Sequence, residues 1–504
     1  VKKIRTTVLA ATLTIFVGGC AVGPDFATPP APDATTYTPE PVSERTVAAD
    51  TDGGAAQHLQ WGGDLPGAWW TLFGSADLSA MIDEAIANHP SIEAQQAALR
   101  EAEQTLAAEQ GTLFPTVSGA ADRNRSKSNP ALSGFPSTVP SFFSSVYGAT
   151  LTVSYNLDLW GGERRSIEGM EAARDAERYA LEASVLTLTS NLANQAITVA
   201  SLRAQIAATI EIERSQTDQL ALIRRRFALG SLTQADVLQQ EALLAATNAT
   251  LPGLDQQLAL AQHQLAVLRG RLPADTPPAE FDLAAFVLPG ELPVSLPSSL
   301  VRQRPDIRQQ EALLHQASAE IGVATANMLP QIGLSGNFGG ASTALAELLH
   351  GASNTWSLTG DVGQTLFDGG TLSAKRQAAR AAFDQAAANY RGVVLTAFQS
   401  VADVLTALEN DARALKAQTA ALAAAKASLD LTSRRYAIGA VDEVTLLAAQ
   451  QSYQTAKLAQ VRATASRYQD TVLLFQALGG GWWNRDAAKS LRTAKAPIAM
   501  DHAE

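Results

Sequence analysis

One thiol, six imidazoles and a few acids beside two glycine turns are the side chains that could do chemistry in this chain. The histidines (His58, His89, His263, His315, His350 and His502) are scattered, with no HExxH pair and no zinc-like spacing. No phosphate-cradling glycine loop is present. Trp160-Gly161-Gly162 and Asp368-Gly369-Gly370 fall at strand-to-helix corners, where glycine has a backbone reason to be. Neither catalysis, a resident metal nor an organic cofactor is therefore expected. Two related stretches carry the acids: RRFALGSLTQADVLQQE at Arg225–Glu241 and RRYAIGAVDEVTLLAAQ at Arg434–Gln450. Asp236, Asp442 and Glu443 would favour cations if gathered around a narrow opening. As acids in a helix's first turn they would instead complement its dipole. Both readings stay open from the residues alone.

The thiol is Cys20. Residues 1–19 read as a signal peptide: Lys2, Lys3 and Arg5, then apolar Val8–Val17, then Val17-Gly18-Gly19 before the cysteine. A cysteine directly after small residues resembles the bacterial lipobox, whose thiol is lipidated and becomes the mature N-terminus. The usual leucine three positions before it is Val17 here. Ala21, not aspartate, follows the cysteine, which by that resemblance favours the outer membrane. Val1 reads as an alternative start codon.

Composition narrows the class. In 504 residues, 38 basic side chains face 49 acidic ones, for a net charge of −11, so nucleic acid is an unsuitable partner. The mean hydropathy is near zero and no 18-residue apolar run exists in the body, which excludes a helical membrane protein.

Around the two turns the chain is a duplication. Pro90, Pro115, Gly230 and Gly270 recur as Pro305, Pro330, Gly439 and Gly479. A Pro- and Thr-rich tether at 20–67 leads into a first repeat at 68–272, a linker at 273–297, a second repeat at 298–481 and a flexible tail at 482–504. In the first repeat a helix is expected over Ser75–Gly111, broken near His89-Pro90. Strands follow at about 113–125 and 143–159, then a long helix from Glu163 to Leu229. A further helix runs to Gly270, interrupted at Pro252-Gly253. Tyr147, Ala149, Leu151, Val153, Tyr155 and Leu157 alternate with polar residues, giving one apolar and one polar strand face. The second repeat has strands at about 330–340 and 355–367. In its long helix Val394, Phe398, Val401, Leu405, Leu408, Ala412, Leu415 and Leu422 form a heptad-like seam.

Four strands of this kind suit a lipid-facing wall but cannot close a membrane barrel alone. Open edges in lipid leave backbone groups unpaired. The expected fold is therefore mainly α with membrane β: a long α-helical coiled-coil barrel plus a transmembrane β-barrel shared between chains, each giving four strands. A helix of 67 residues would be about 100 Å long, far beyond a bilayer core, so it must project into solution. Strands at one end, turns at the other and a lipid anchor describe a conduit.

The lipobox with GPDF, the WWTLFGSADLSAMIDEAIANHPSIEAQQAALREAEQTLAAEQGTLFP run, the RRYAIGAVDEVTLLAAQ turn and ALGGGWW together resemble the outer-membrane factor family. These are the TolC-like exit channels of efflux pumps, in their NodT-type lipoprotein branch. The resemblance covers nearly all residues from Cys20 to Trp483. It implies a homotrimer with a twelve-stranded barrel, joined to an inner-membrane pump through a periplasmic adaptor, and exporting drugs or other small molecules. Protein secretion and metal-ion efflux use the same scaffold, and a non-channel structural lipoprotein or an adaptor is a rival without membrane strands. The resemblance places a periplasmic aperture at Asp236, Asp442, Glu443, Val444, Thr445, Leu447, Ala448 and Gln451. Ala448 and Gln451 stand where relatives commonly carry aspartate and arginine, and Thr445 where some carry a further aspartate. Aliphatic packing by Val444 and Leu447, with hydrogen bonds from Gln451, would then close the channel instead of a charge lock. Arg226, Gly230, Ser231, Arg435, Gly439 and Ala440 are the expected adaptor contacts.

Overall fold

The computed structural model describes residues 21–129, 136, 138 and 140–485; the signal peptide, Cys20, part of the loop after residue 129 and the end of the tail lie outside the described residues. In chain order the elements are β1 (His58–Trp61), α1 (Ala76–Asn88), α2 (Pro90–Gln110), β2 (Thr116–Ser128), β3 (Phe142–Leu157), α3 (Gly162–Ala228) and α4 (Gln234–Leu268). The second series is β4 (Glu291–Val294), α5 (Pro297–Gln303), α6 (Pro305–Ala326), β5 (Gln331–Ser342), β6 (Asn354–Gly363), α7 (Thr371–Ala437) and α8 (Glu443–Ala477). The duplication is visible in helix lengths: α3 and α7 both have 67 residues, and α4 and α8 both have 35.

Proline sets two of the helix starts. Pro90 and Pro305 open α2 and α6, where the missing N–H costs no helical bond. At Pro252 the expected interruption does not occur, and α4 runs through it without a break. A lost N–H bond there is local, and buried Thr247 and Leu254 pin the helix on both sides of it.

The chain divides into two compact units. One comprises Val1–Thr28, Leu99–Glu177 and Gln310–Tyr390; the other comprises Pro29–Ala98, Arg178–Gln309 and Arg391–Glu504. In the first, β2, β3, β5 and β6 form one antiparallel sheet in that order, so the β3–β5 pair joins the two repeats. The register aligns Gly119, Leu151, Phe338 and Trp356 in one row, and Ser118, Thr152, Asn337 and Ser357 in the next. The polar row is bonded, Thr152 Oγ1 donating to Asn337 Oδ1 at 2.7 Å. The apolar row stays bare: Leu151, Phe338 and Trp356 are all exposed, as is Leu358 two residues along β6 on the same face.

The sheet is open, and this corrects the expected barrel: β2 and β6 are edges that do not meet. At about 4.8 Å between neighbours, four strands make a ribbon too narrow to curl back on itself. In the same unit the start of the described chain is clamped. The half-buried to buried Arg165 guanidinium binds Asp25 Oδ1 at 2.6 Å and Glu168 Oε2 at 2.7 Å, and Phe26 stacks on His315 at 4.3 Å.

The second unit is helical, with one aromatic centre in which Trp69, Phe73, Tyr468 and Phe475 are almost fully buried. The seam expected along α7 is buried at Val394, Val401, Leu405, Leu408, Ala412 and Leu415. That helix also contains a window apolar enough to cross a membrane by composition, which the low overall hydropathy had argued against. Valines and leucines between Val393 and Leu408 supply that character, and Val394, Val401, Leu405 and Leu408 among them are buried within the chain.

The segment read as a tether is docked. β1 pairs in parallel with β4 inside the stretch read as a linker. Arg467, fully buried on α8, donates to Gly53 O and Ala55 O at 3.0 Å each and to Gln57 Oε1 at 3.1 Å. Low apolar content left this segment no core of its own; a buried guanidinium gives its carbonyls partners instead.

Candidate functional site at the helical tips

Each tip is a helix end closed by a glycine that only glycine accommodates easily. Gly230 and Gly439 both have φ of +75°, while a Cβ on either would meet nothing within 4 Å, so conformation and not space demands the residue. After α3, Ser231 N–H reaches back to Arg226 O at 3.0 Å and Gly230 N–H to Phe227 O at 2.8 Å. After α7, Ala440 N–H reaches Arg435 O at 2.8 Å and Gly439 N–H reaches Tyr436 O at 3.0 Å. These paired bonds satisfy the last carbonyls of each long helix.

The acids take part in capping the helices that follow. Thr233 caps α4 in a reciprocal box, its N–H donating to Asp236 Oδ2 at 2.7 Å. Asp442 caps α8, accepting from Thr445 N–H at 2.9 Å and also from the Thr445 hydroxyl. Those bonds hold the Asp442 carboxyl below the usual range. Two of the three acids thus have a full local role as caps.

Glu443 behaves differently. Its side chain is buried at 4 % exposure, and burial pushes its carboxyl up against the lowering effect of the neighbouring Tyr436 hydroxyl. Tyr436 is itself buried, and its phenol is raised by burial and by Glu443. Over the Tyr436 ring, at 4.9 Å, lies the guanidinium of Arg226 from the other tip. The same guanidinium donates to Ala437 O at 2.7 Å and Tyr436 O at 3.2 Å. Arg226 therefore ties the end of α3 to the end of α7. Each hairpin has its own support as well: Leu220, Ile223 and Val237 form a small core between α3 and α4, and Arg224 pairs with Glu241 at 2.7 Å.

Of the residues read from sequence, Val444, Ala448 and Gln451 share one exposed face of α8 at helical spacing, with Thr445 exposed and Leu447 half-buried beside them. Arg435, Gly230, Ser231, Gly439 and Ala440 are exposed at the turns. Glu443 is not on that exposed face, and Arg226 is engaged with the second tip. Sequence reasoning missed Tyr436 and the two large apolar side chains beside the glycines, Leu229 at 83 % and Ile438 at 80 % exposure. The signal was present in the duplicated motif: one apolar residue precedes each glycine, where a helix-end residue has nothing in its own chain to cover it. Among the described residues no cluster of His, Cys, Asp or Glu could hold a metal ion.

Comparison with known proteins places this geometry. The family described as outer membrane efflux protein matches residues 81–271 and 296–480, one segment in each repeat. The toluene efflux pump outer membrane protein TtgC of Pseudomonas putida is 30 % identical over 485 residues, covering 95 % of this chain and 96 % of that protein. The pyoverdine export outer membrane protein OpmQ of Pseudomonas putida is 31 % identical over 420 residues, covering 82 % and 88 %. The solved outer-membrane channel OprN superposes with a TM-score of 0.81 at 27 % identity, over 92 % of this chain and all (100 %) of that one.

Proposed function

The chain belongs to the outer membrane efflux protein family, and from that premise we propose that its tips dock an adaptor and that its cargo is small organic molecules. The chain is an outer-membrane channel of TolC-like type with a periplasmic helical part, a passive conduit and not an enzyme. It works as a homotrimer with a periplasmic adaptor and an inner-membrane pump. The observation that carries the docking role is the pairing of two glycine-closed tips, each presenting an uncovered apolar side chain, Leu229 or Ile438, beside exposed arginines. Apolar anchors ringed by cations suit a partner with an apolar centre and acidic rim.

Toluene and pyoverdine, in the names of two relatives, are small organic molecules, and this supports such cargo over folded proteins. In this reading Val444, Thr445, Leu447, Ala448 and Gln451 line the aperture, with Asp236 and Asp442 at its rim. Arg435, Ser231 and Ala440 face the adaptor, and Cys20 carries the lipid. Crosslinking from S231C and A440C to an adaptor in an assembled pump tests the tips. Crosslinks at both positions are expected, and none at either would refute the docking role. Accumulation of an organic dye in cells lacking the channel, reversed by the intact chain, tests the cargo.

A further inference from the structure

Between α3, α7 and α8 lies a cavity of about 210 Å³ that the conduit function does not use. Its volume exceeds by several times the roughly 30 Å³ of one water. Two amides sit in its lining. Gln216 of α3 is 1 % exposed and both of its side-chain polar atoms lack a partner; Gln450 of α8 is 7 % exposed with its Oε1 unpartnered. Buried amide oxygens without donors are costly, and a ligand carrying N–H groups removes that cost. At the more exposed side stand Glu211 of α3 and Asp430 of α7, with Lys426 one turn before Asp430. Two carboxylates outweigh one ammonium. Ile212 and Leu429 supply an apolar wall between the charged and amide ends.

We propose that this cavity binds a small alkylammonium ion, with a short diamine as the best-matched form. One ammonium meets Glu211 and Asp430, the alkyl chain lies on Ile212 and Leu429, and the second donor reaches Gln216 Oε1 and Gln450 Oε1. The negative field extends inward: the Tyr453 phenol in the same lining is raised by burial and then by Glu211 and Asp430. Lys426 is the competing resident cation, and its long stem lets the head move out to water. Occupancy ties α7 to α3 and α8 below the tips, independently of what passes through the channel.

The test is calorimetric titration of the detergent-solubilised full-length protein with 1,4-diaminobutane, against sodium chloride of equal ionic strength and against 1-butanol. Saturable binding of one diamine per chain is expected, with neither control producing it. Glu211→Gln and Asp430→Asn, both at exposed positions, are each expected to weaken binding by about tenfold or more. Lys426→Gln is expected to tighten it, and Asp218→Asn, on α3 outside the cavity, to leave it unchanged. Absence of saturable heat, an equal response to salt, or weaker binding in Lys426→Gln overturns the proposal. A melting curve of each variant without ligand confirms that the fold is retained.

Discussion

The guanidinium of Arg226 lies 4.9 Å over the ring of Tyr436 and donates to that residue's own carbonyl at 3.2 Å. One side chain from the first repeat therefore caps the last turn of the long helix in the second. The duplicated motifs at 225–230 and 434–439 are alike in sequence, yet only the first sends its arginine across to the other. The aromatic positions differ alongside it: Phe227 is exposed, whereas Tyr436 is buried.

Removing that contact loosens the second tip. Arg226→Ala deprives two helix-end carbonyls of a charged donor, a loss of about 1.5–3 kcal/mol in local stability. Hydrogen exchange at 434–442 is expected to speed up accordingly, while exchange in α1 and α2 stays unchanged. Single-channel conductance is expected to rise, because the tip is then free to move. Arg226→Lys restores the charge but not the planar stacking, and is expected to recover only part of the protection.

Glu443 gives the same tip a pH dependence. Its carboxyl is raised by burial, so the folded tip holds a proton that the unfolded segment releases earlier. The associated stability is fully present below the ordinary carboxylate range and is lost as pH rises through the raised value. Protection at 436–446 should therefore fall in the wild type as pH rises above the ordinary carboxylate range. Glu443→Gln is expected to flatten that profile; an unchanged slope in the variant would assign the pH dependence elsewhere.

Glu168 has the opposite sign. Burial pushes its carboxyl up, but bonds from Arg165 and His315 outweigh it and hold the group below the usual range. Stability from this cluster is present above the ordinary carboxylate range and is lost as pH falls through the lowered value. Glu168→Gln should lower the melting temperature at neutral pH, and the gap to wild type should close on acidification. The segment held by Asp25 and Phe26 should become protease-sensitive first.

Arg467 is the buried guanidinium that docks residues 46–57. Arg467→Met keeps the bulk and removes donors from Gly53 O, Ala55 O and Gln57 Oε1. A loss of about 2–4 kcal/mol is expected, since several buried acceptors go unpaired together. Limited proteolysis should cut within 46–57 while the helices stay intact.

The proposed aperture is the exposed face of α8. Val444→Ala removes an apolar side chain that is 60 % exposed within the chain, so folding should be little affected. Conductance is expected to increase, whereas Asp442→Ala should reduce cation preference. Planar-bilayer recordings of both variants measure this directly; unchanged conductance and selectivity in both would remove these residues from the aperture.

Much of this protein is written locally. Period-two alternation specified the strand at β3, because neighbouring side chains on an extended backbone must point to opposite faces. Heptad spacing along α7 specified a buried seam, and Gly230 and Gly439 specified where the long helices stop, because few residues adopt a positive φ. The two copies of each pattern gave the repeat. Tertiary structure decided what these elements then met. It turned Glu443 inward and left Val444 outside, although the two are adjacent in sequence. It fixed the low-hydropathy segment at 46–57 through Arg467, more than 400 residues away. It left the four-stranded sheet open, with its apolar row uncovered. Local patterns record backbone conformation and face; which polar group finds which partner depends on distances set only after the whole chain has folded.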